Sequence, residues 1–165
     1  MKSVKILVGV CFLSGVVQAE TVTITGTVQS RCIINTDTVG IYGNPNAYTL
    51  TTLPADGGVV PVVRYDVSLA DAYKARITHP TSFSTSPSLS DSVTWTGATE
   101  VQQVSDANMA AYETDKVTYD QTTEYDLTLA GSTWFKTSST AVYGGNKAFP
   151  GGTYRALVVA ECIAK

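Results

Sequence analysis

The chain has 165 residues, 15% of them charged, with 11 Lys and Arg against 14 Asp and Glu. That length fits one domain with a real core, and the acidic balance leaves no electrostatic footprint for nucleic acid or an anionic membrane. Sparse charge combined with abundant Thr, Ser, Gly and Val favours strands and turns over helices.

Residues 1–19 read as a secretory signal peptide. Lys2 and Lys5 form a basic start, Ile6 to Val17 is an apolar run, and Val17-Gln18-Ala19 places small residues at −3 and −1 before Glu20. The apolar run is too short for a comfortable membrane span. Cys11 follows Val10, where a lipidation signal carries Gly or Ala, and is expected to leave with the leader. Without Lys2 and Lys5 the 11 basic residues fall to 9 against 14 acidic ones, a net charge of −5.

Cys32 and Cys162 are then the remaining cysteines, near the two ends of the mature chain. Thiols in an exported protein meet an oxidising compartment, so they are expected to pair. Neither has a His or another Cys close by, which disfavours a catalytic or metal-binding role. A closed loop of this length is worth about 5 kcal/mol in the chain-entropy model. It also requires the first and last strands to lie close together.

In chain order, residues 21–29 alternate, with Val22, Ile24, Gly26 and Val28 on one face and threonines on the other, as in a strand with one buried face. Ile33 and Ile34 continue as strand past Cys32, and 35–47 reads as loop. Tyr48, Leu50 and Thr52 resume alternation before a Pro54 to Gly58 turn. Val59 to Leu69 alternates again, followed by either a hairpin about Ala70 and Asp71 or a short helix over 69–76. Residues 79–91 read as a long loop. Val93, Trp95 and 99–104 suggest short strands, and 105–113 a helical turn capped by Ser105 or Asp106. Val117 to Tyr119, Tyr125 to Leu129 and Trp134-Phe135 are strand material, and Arg155 to Ile163 is the strongest terminal strand. About eight short runs between Gly, Pro, Asn and Ser clusters predict an all-β fold, a sandwich or barrel.

The C-terminal Phe149-Pro150-Gly151-Gly152-Thr153-Tyr154, opening an alternating strand, resembles the final turn and strand of bacterial chaperone–usher fimbrial subunits. The stretch Thr21 to Gln29 before Cys32 is similar to the start of such pilins, especially afimbrial-adhesin subunits, and a cysteine close to each chain end resembles their invasin-type tip subunits. The two ends carry this resemblance; the middle hundred residues do not.

The resemblance implies an immunoglobulin-like β-sandwich over 31–165 that lacks one strand and is completed by a donor strand. Residues 20–30 would be an N-terminal arm inserting Val22, Ile24, Gly26 and Val28 into a neighbouring subunit, with Gly26 at a tight point. The acceptor-groove edge would be Ala156, Leu157, Val158 and Val159. Implied partners are a periplasmic chaperone, an outer-membrane usher, neighbouring fimbrial subunits, and a host receptor or glycan, with transit through the periplasm to the cell surface. The competing reading takes residues 21–29 as the domain's own first strand, in a self-contained secreted module that binds a carbohydrate or receptor.

Other constellations carry less. His79 stands alone, without partners for zinc. No stretch resembles a nucleophile elbow, so no catalytic residues, metal or cofactor are expected and the chain is read as a non-enzyme. Asp115, Asp120, Glu124 and Asp126 read as a solvated strand face. Tyr42, Tyr143, Trp95 and Trp134 are candidate ligand-contact aromatics, weighed against a role in the core.

Overall fold

The computed structural model describes residues 23–27 and 31–165. The expected signal peptide and the arm positions Val22 and Val28 lie outside the described residues. In chain order the strands are β1 (Cys32–Thr38), β2 (Gly43–Asn46), β3 (Thr49–Thr51), β4 (Val62–Val67), β5 (Tyr73–Thr78), β6 (Phe83–Thr85), β7 (Val93–Val104), β8 (Val117–Tyr119), β9 (Thr122–Leu127), β10 (Gly131–Tyr143), β11 (Arg155–Ala156) and β12 (Val159–Ala164). One short helix, α1 (Tyr112–Asp115), follows a 3-10 turn over Ala107–Ala111.

Two antiparallel sheets face each other, as the all-β sandwich reading requires. In the first, β10 is central. Its opening half pairs with β4, its closing half with β3, and its whole other side with β7; β1 and β2 extend the sheet beyond β4 and β3. The second sheet runs β12-β5-β9-β8, and a two-stranded ribbon joins β6 to β11.

Alternation explains how the sheets bury one face each. Tyr65 and Val67 from β4 and Phe135 from β10 meet Ala75 and Ile77 from β5 and Tyr125 and Leu127 from β9, all buried. The Phe135 ring sits 5.5 Å from Tyr65 and 4.4 Å from Tyr125. Each such large side chain contributes about 1.5–3 kcal/mol on burial. The Tyr65 hydroxyl crosses the interior and donates toward the carbonyls of Arg76 and Glu161, both at 3.2 Å, tying the first sheet to the β5–β12 pair. Burial raises its pKa, so it remains a donor.

The helical turn expected over 105–113 is present. Asp106 accepts the Asn108 amide at 2.8 Å as its cap. Met109 and Tyr112 are buried against the core.

Several expectations are corrected. Strand β1 runs on to Thr38 and β2 follows, so 35–47 is not loop throughout. β4 and β5 belong to different sheets, so Ala70-Asp71 is neither a hairpin nor a helix but an arch between sheets, with Asp71 at φ 58° and its amide on the Leu127 carbonyl. The short strands expected at Val93, Trp95 and 99–104 are one strand of 12 residues, and the 79–91 loop carries β6. The terminal strand is split into β11 and β12, which pair with β6 and β5 respectively.

The longest departure is β10, with 13 residues. Its inward positions after Phe135 are Thr137, Ser139, Ala141 and Tyr143, all buried. Small hydroxyl residues replace large apolar ones there, so hydropathy shows only Trp134-Phe135. The hydroxyls are satisfied internally, as buried polar groups must be. Thr137 bonds Thr99 at 3.2 Å, Thr99 bonds His79 Nε2 at 3.3 Å, and His79 Nδ1 lies 3.3 Å from the Ser138 carbonyl. Gly97 makes room for this imidazole, since a Cβ there would stand 2.3 Å from His79 Nδ1 and 2.6 Å from the Ser138 carbonyl.

Burial lowers the His79 pKa, and the Ser138 bond only partly opposes it. The unfolded chain, with an imidazole pKa of about 6.5, takes up a proton before the folded chain does. The native state is therefore unpenalised above that pH and loses stability as pH falls from it toward the folded pKa. Comparing denaturant melts of the wild type and His79→Gln, the wild type's advantage should shrink between about pH 7 and about pH 5. An advantage that stays constant would refute the linkage.

Candidate functional site at two open sheet edges

A sheet edge left unpaired is a template for another strand, so what covers each edge decides where a partner can add. β8 is only three residues long, and β2 is four residues with Pro45 inside it. β7 is long, but α1 lies beside its second half, where Glu113 accepts the Val101 amide. β1 and β12 end their sheets without a further strand among the described residues, and both lie on one side of the sandwich.

Cys32 and Cys162 form the expected disulfide across these two edges, with Cα atoms 6.3 Å apart and 130 residues between them in sequence. That separation is ordinary for the bond. From the staple the two edges run on without a ladder between them. Toward Thr38 and Val158 they enclose a cleft of about 220 Å³, which opens into a hollow of about 650 Å³ beside Ile41, Tyr154 and Arg155. Ile34, Val63, Val158 and Ala160 pack on the buried core from this side but are only half-buried themselves. The apolar interior is thus unfinished along the line between β1 and β12.

Three of the four residues expected at an acceptor edge lie here. Ala156, Leu157 and Val158 line the cleft, while Val159 is not among its lining residues and is 49% exposed. Ala156 and Val158 turn inward; Leu157, 65% exposed, is the outward member. The opposite wall comes from Thr36, Thr38, Val39, Gly40 and Tyr42, all within the stretch that reads as loop in sequence. Val39 is 74% exposed and Ile41 58%; two apolar side chains in so polar a stretch are the signal that sequence offers for this wall.

The cleft offers backbone edges and apolar wall but no carboxylate, histidine or lysine among its lining residues. Its titratable group is the Tyr42 phenol, whose pKa burial raises while a 3.1 Å bond with Ser139 opposes the rise. Such a lining suits an extended segment, which would meet main-chain groups and side-chain pockets.

The arm residues that are described, 23–27, belong to no strand and all five are exposed. Ile24 is 93% exposed, and nothing lies within 4 Å of a Cβ built on Gly26. Arg31 already belongs to the β1 line: the Ser68 amide donates to its carbonyl at 3.0 Å, and its own amide donates to Ser68 Oγ at 2.8 Å.

The candidate aromatics are not brought together as one ligand surface. Tyr42, Trp95, Phe149 and Tyr154 pack around Phe83 at 4.7–6.4 Å, a satellite core beneath the β6–β11 ribbon. Tyr143 is 2% exposed, stacks on Phe149 at 5.1 Å and bonds Ser90, so it is a packing residue and not a presented one. Trp134 lies apart, under the Arg64 guanidinium at 5.8 Å. The Phe149-to-Tyr154 turn closes on itself through a 2.6 Å bond from the Tyr154 hydroxyl to the Pro150 carbonyl. Gly152, at φ 155°, sits where a Cβ would meet Pro87 at 2.4 Å. In the acidic run, Glu124 is held below the usual carboxylate range by bonds from Tyr119 and Arg76, and Lys74 and Lys165 reach Asp126.

No family model matches the chain, nor does any curated protein or solved structure.

Replacing Cys32 and Cys162 by Ala should lower the unfolding free energy by several kcal/mol, up to about 5. It should also raise hydrogen exchange first along β1 and β12, because the staple is the covalent bond that ties these two edges together. Uniform loosening, or a negligible change in stability, would contradict that placement.

Proposed function

We propose that this chain is a structural and adhesive subunit of a surface fimbria, assembled by donor-strand exchange through a chaperone–usher route. The observation that carries the reading is the pairing of an unfinished core between β1 and β12 with an exposed, unladdered arm whose apolar residues alternate. In strand addition, main-chain bonds supply affinity and alternate side chains fill pockets.

Lengths match. Val22 to Val28 spans seven residues, as does the open edge strand β1, and each is about 20 Å when extended. Direction matches as well. The arm joins β1 at the stapled end, whereas the cleft opens toward Val39 and Leu157. A contact of arm on one copy with cleft on the next is heterologous and does not close on itself, which generates a filament. The disulfide supports export to an oxidising compartment. In transit the same cleft would receive a chaperone strand.

A self-contained binding module requires residues 21–29 to pair inside their own sheet. The exposure of 23–27 weighs against that.

Gly26→Ile and Gly26→Arg should abolish polymerisation while the monomer keeps its melting temperature, since the added side chain meets nothing in its own subunit. Electron microscopy of assembled material together with thermal melts of the monomer checks both halves. A peptide spanning residues 20–30 should bind the isolated domain and protect the amides of β1 and β12 from exchange. Normal fibres from Gly26→Arg, combined with no peptide protection at the cleft, would sink the proposal.

A further inference from the structure

The edge of β7 opposite β10 poses a second problem. It is 12 residues long, carries no strand on that side among the described residues, and exposes Thr94, Thr96, Glu100 and Gln102. Residues i and i+2 of a strand direct their main-chain groups to the same side, so the Thr99 carbonyl and the Val101 amide face one neighbour. Both are already engaged by side chains. Lys116 Nζ donates to the Thr99 carbonyl at 3.0 Å, and Glu113 Oε2 accepts the Val101 amide at 2.8 Å. Glu113 and Lys116 are themselves ion-paired. The carboxylate stands where a neighbouring strand would offer a carbonyl, and the ammonium where it would offer an amide.

The segment that presents them is anchored independently. Met109 and Tyr112 are buried, the Tyr112 hydroxyl accepts the Leu129 amide at 2.9 Å, and Asp106 caps the preceding turn. The Tyr125 hydroxyl also donates to the Thr99 carbonyl, at 2.9 Å. On the first half of the strand, Gly97 and Trp95 are packed on their inward face by His79 and Phe83, so the pair acts on the second half of the edge.

We propose that the Glu113–Lys116 pair is an edge lock, which closes β7 to a second copy of this chain. An open β7 edge would be self-complementary, so the partner it excludes is another β7 edge arriving antiparallel. The lock does not depend on what fills the β1–β12 cleft, and it is tested with the cleft pathway silenced.

In a Gly26→Arg background, the mature chain should sediment as a monomer across a wide concentration range. With Glu113→Ala and Lys116→Ala added it should form dimers and larger species as concentration rises, and the Val101 amide should lose protection when dilute and regain it when associated. Glu113→Gln with Lys116→Gln, which keeps an acceptor and a donor without charge, should restore most of the monomer. A folded double-alanine variant that stays monomeric overturns the lock, as does association that leaves β7 exchange unchanged. Should that variant fail to fold, Glu113→Ala alone carries the test, because it frees the Val101 amide while the Thr99 carbonyl keeps its donors: association through β7 supports the lock, and a persistent monomer overturns it.

Discussion

The bond between Cys32 and Cys162 is the constraint on which the rest depends. It joins the first residue of β1 to β12, so two strands 130 residues apart in sequence are held as neighbours on opposite sheets. Without a ladder between them, only this bond and a few side-chain contacts hold the two edges at a fixed spacing. On the proposed reading the two edges stay open to an incoming strand, so they cannot use hydrogen bonds with each other to stay in place. A covalent tie at one end solves that: it fixes the spacing where the tie lies and leaves main-chain groups free farther along. The Tyr65 hydroxyl reinforces it from inside by reaching the Glu161 carbonyl, next in the chain to Cys162.

The second physical theme is the use of hydroxyls in the interior. Beyond Phe135 the sandwich has Thr137 and Ser139 where large apolar residues would be expected, linked to Thr99, His79, Thr52 and Tyr42. Each net bond is worth only about 1 kcal/mol, less than burial of a large apolar group. The arrangement pins β7, β10 and the β3 side in one register, because a slip would separate these hydroxyls from their partners on the neighbouring strands. The fully apolar core is correspondingly confined to the half of the sandwich nearest the disulfide and α1, where the aromatic rings are large and close.

The fold was legible where alternation involved Val, Ile, Leu and Tyr: β4, β5, β9 and β12 follow from pattern alone, and the cysteine count led directly to the staple. It was not legible where threonine and serine carried the buried face. β10 shows Trp134-Phe135 and then hydroxyls, so most of a strand of 13 residues is hidden from hydropathy. Connection between sheets was equally hidden. Nothing in Leu69-Ala70-Asp71-Ala72 distinguishes a hairpin from an arch, since the choice depends on whether β5 finds β4 or β9 as partner. Of the candidate site, the wall at Ala156 to Val158 was legible only through the resemblance that the terminal turn carries. The facing wall, from Thr36 to Tyr42, was not, because its glycines and polar residues resemble a loop until the staple brings them opposite.

The treatment of edges then gives the molecule its polarity. An antiparallel sandwich of this size offers several edges, and all are equivalent in main-chain chemistry. They become different through what lies beside them: shortness at β8, proline at β2, an ion pair at the second half of β7, and beside β1 and the start of β12 a largely apolar cleft without charged side chains. Charge matters in this contrast. An apolar cleft with a free edge rewards a segment that brings both alternating side chains and main-chain groups, because it buries surface as well as making bonds. An edge already bonded to Glu113 and Lys116 offers an incoming strand no net gain, because old bonds must break before new ones form. Discrimination between edges therefore comes from the state of the backbone groups before any partner arrives. On the proposed reading, an alternating arm is tolerated where the other edges are short, broken by proline or already bonded.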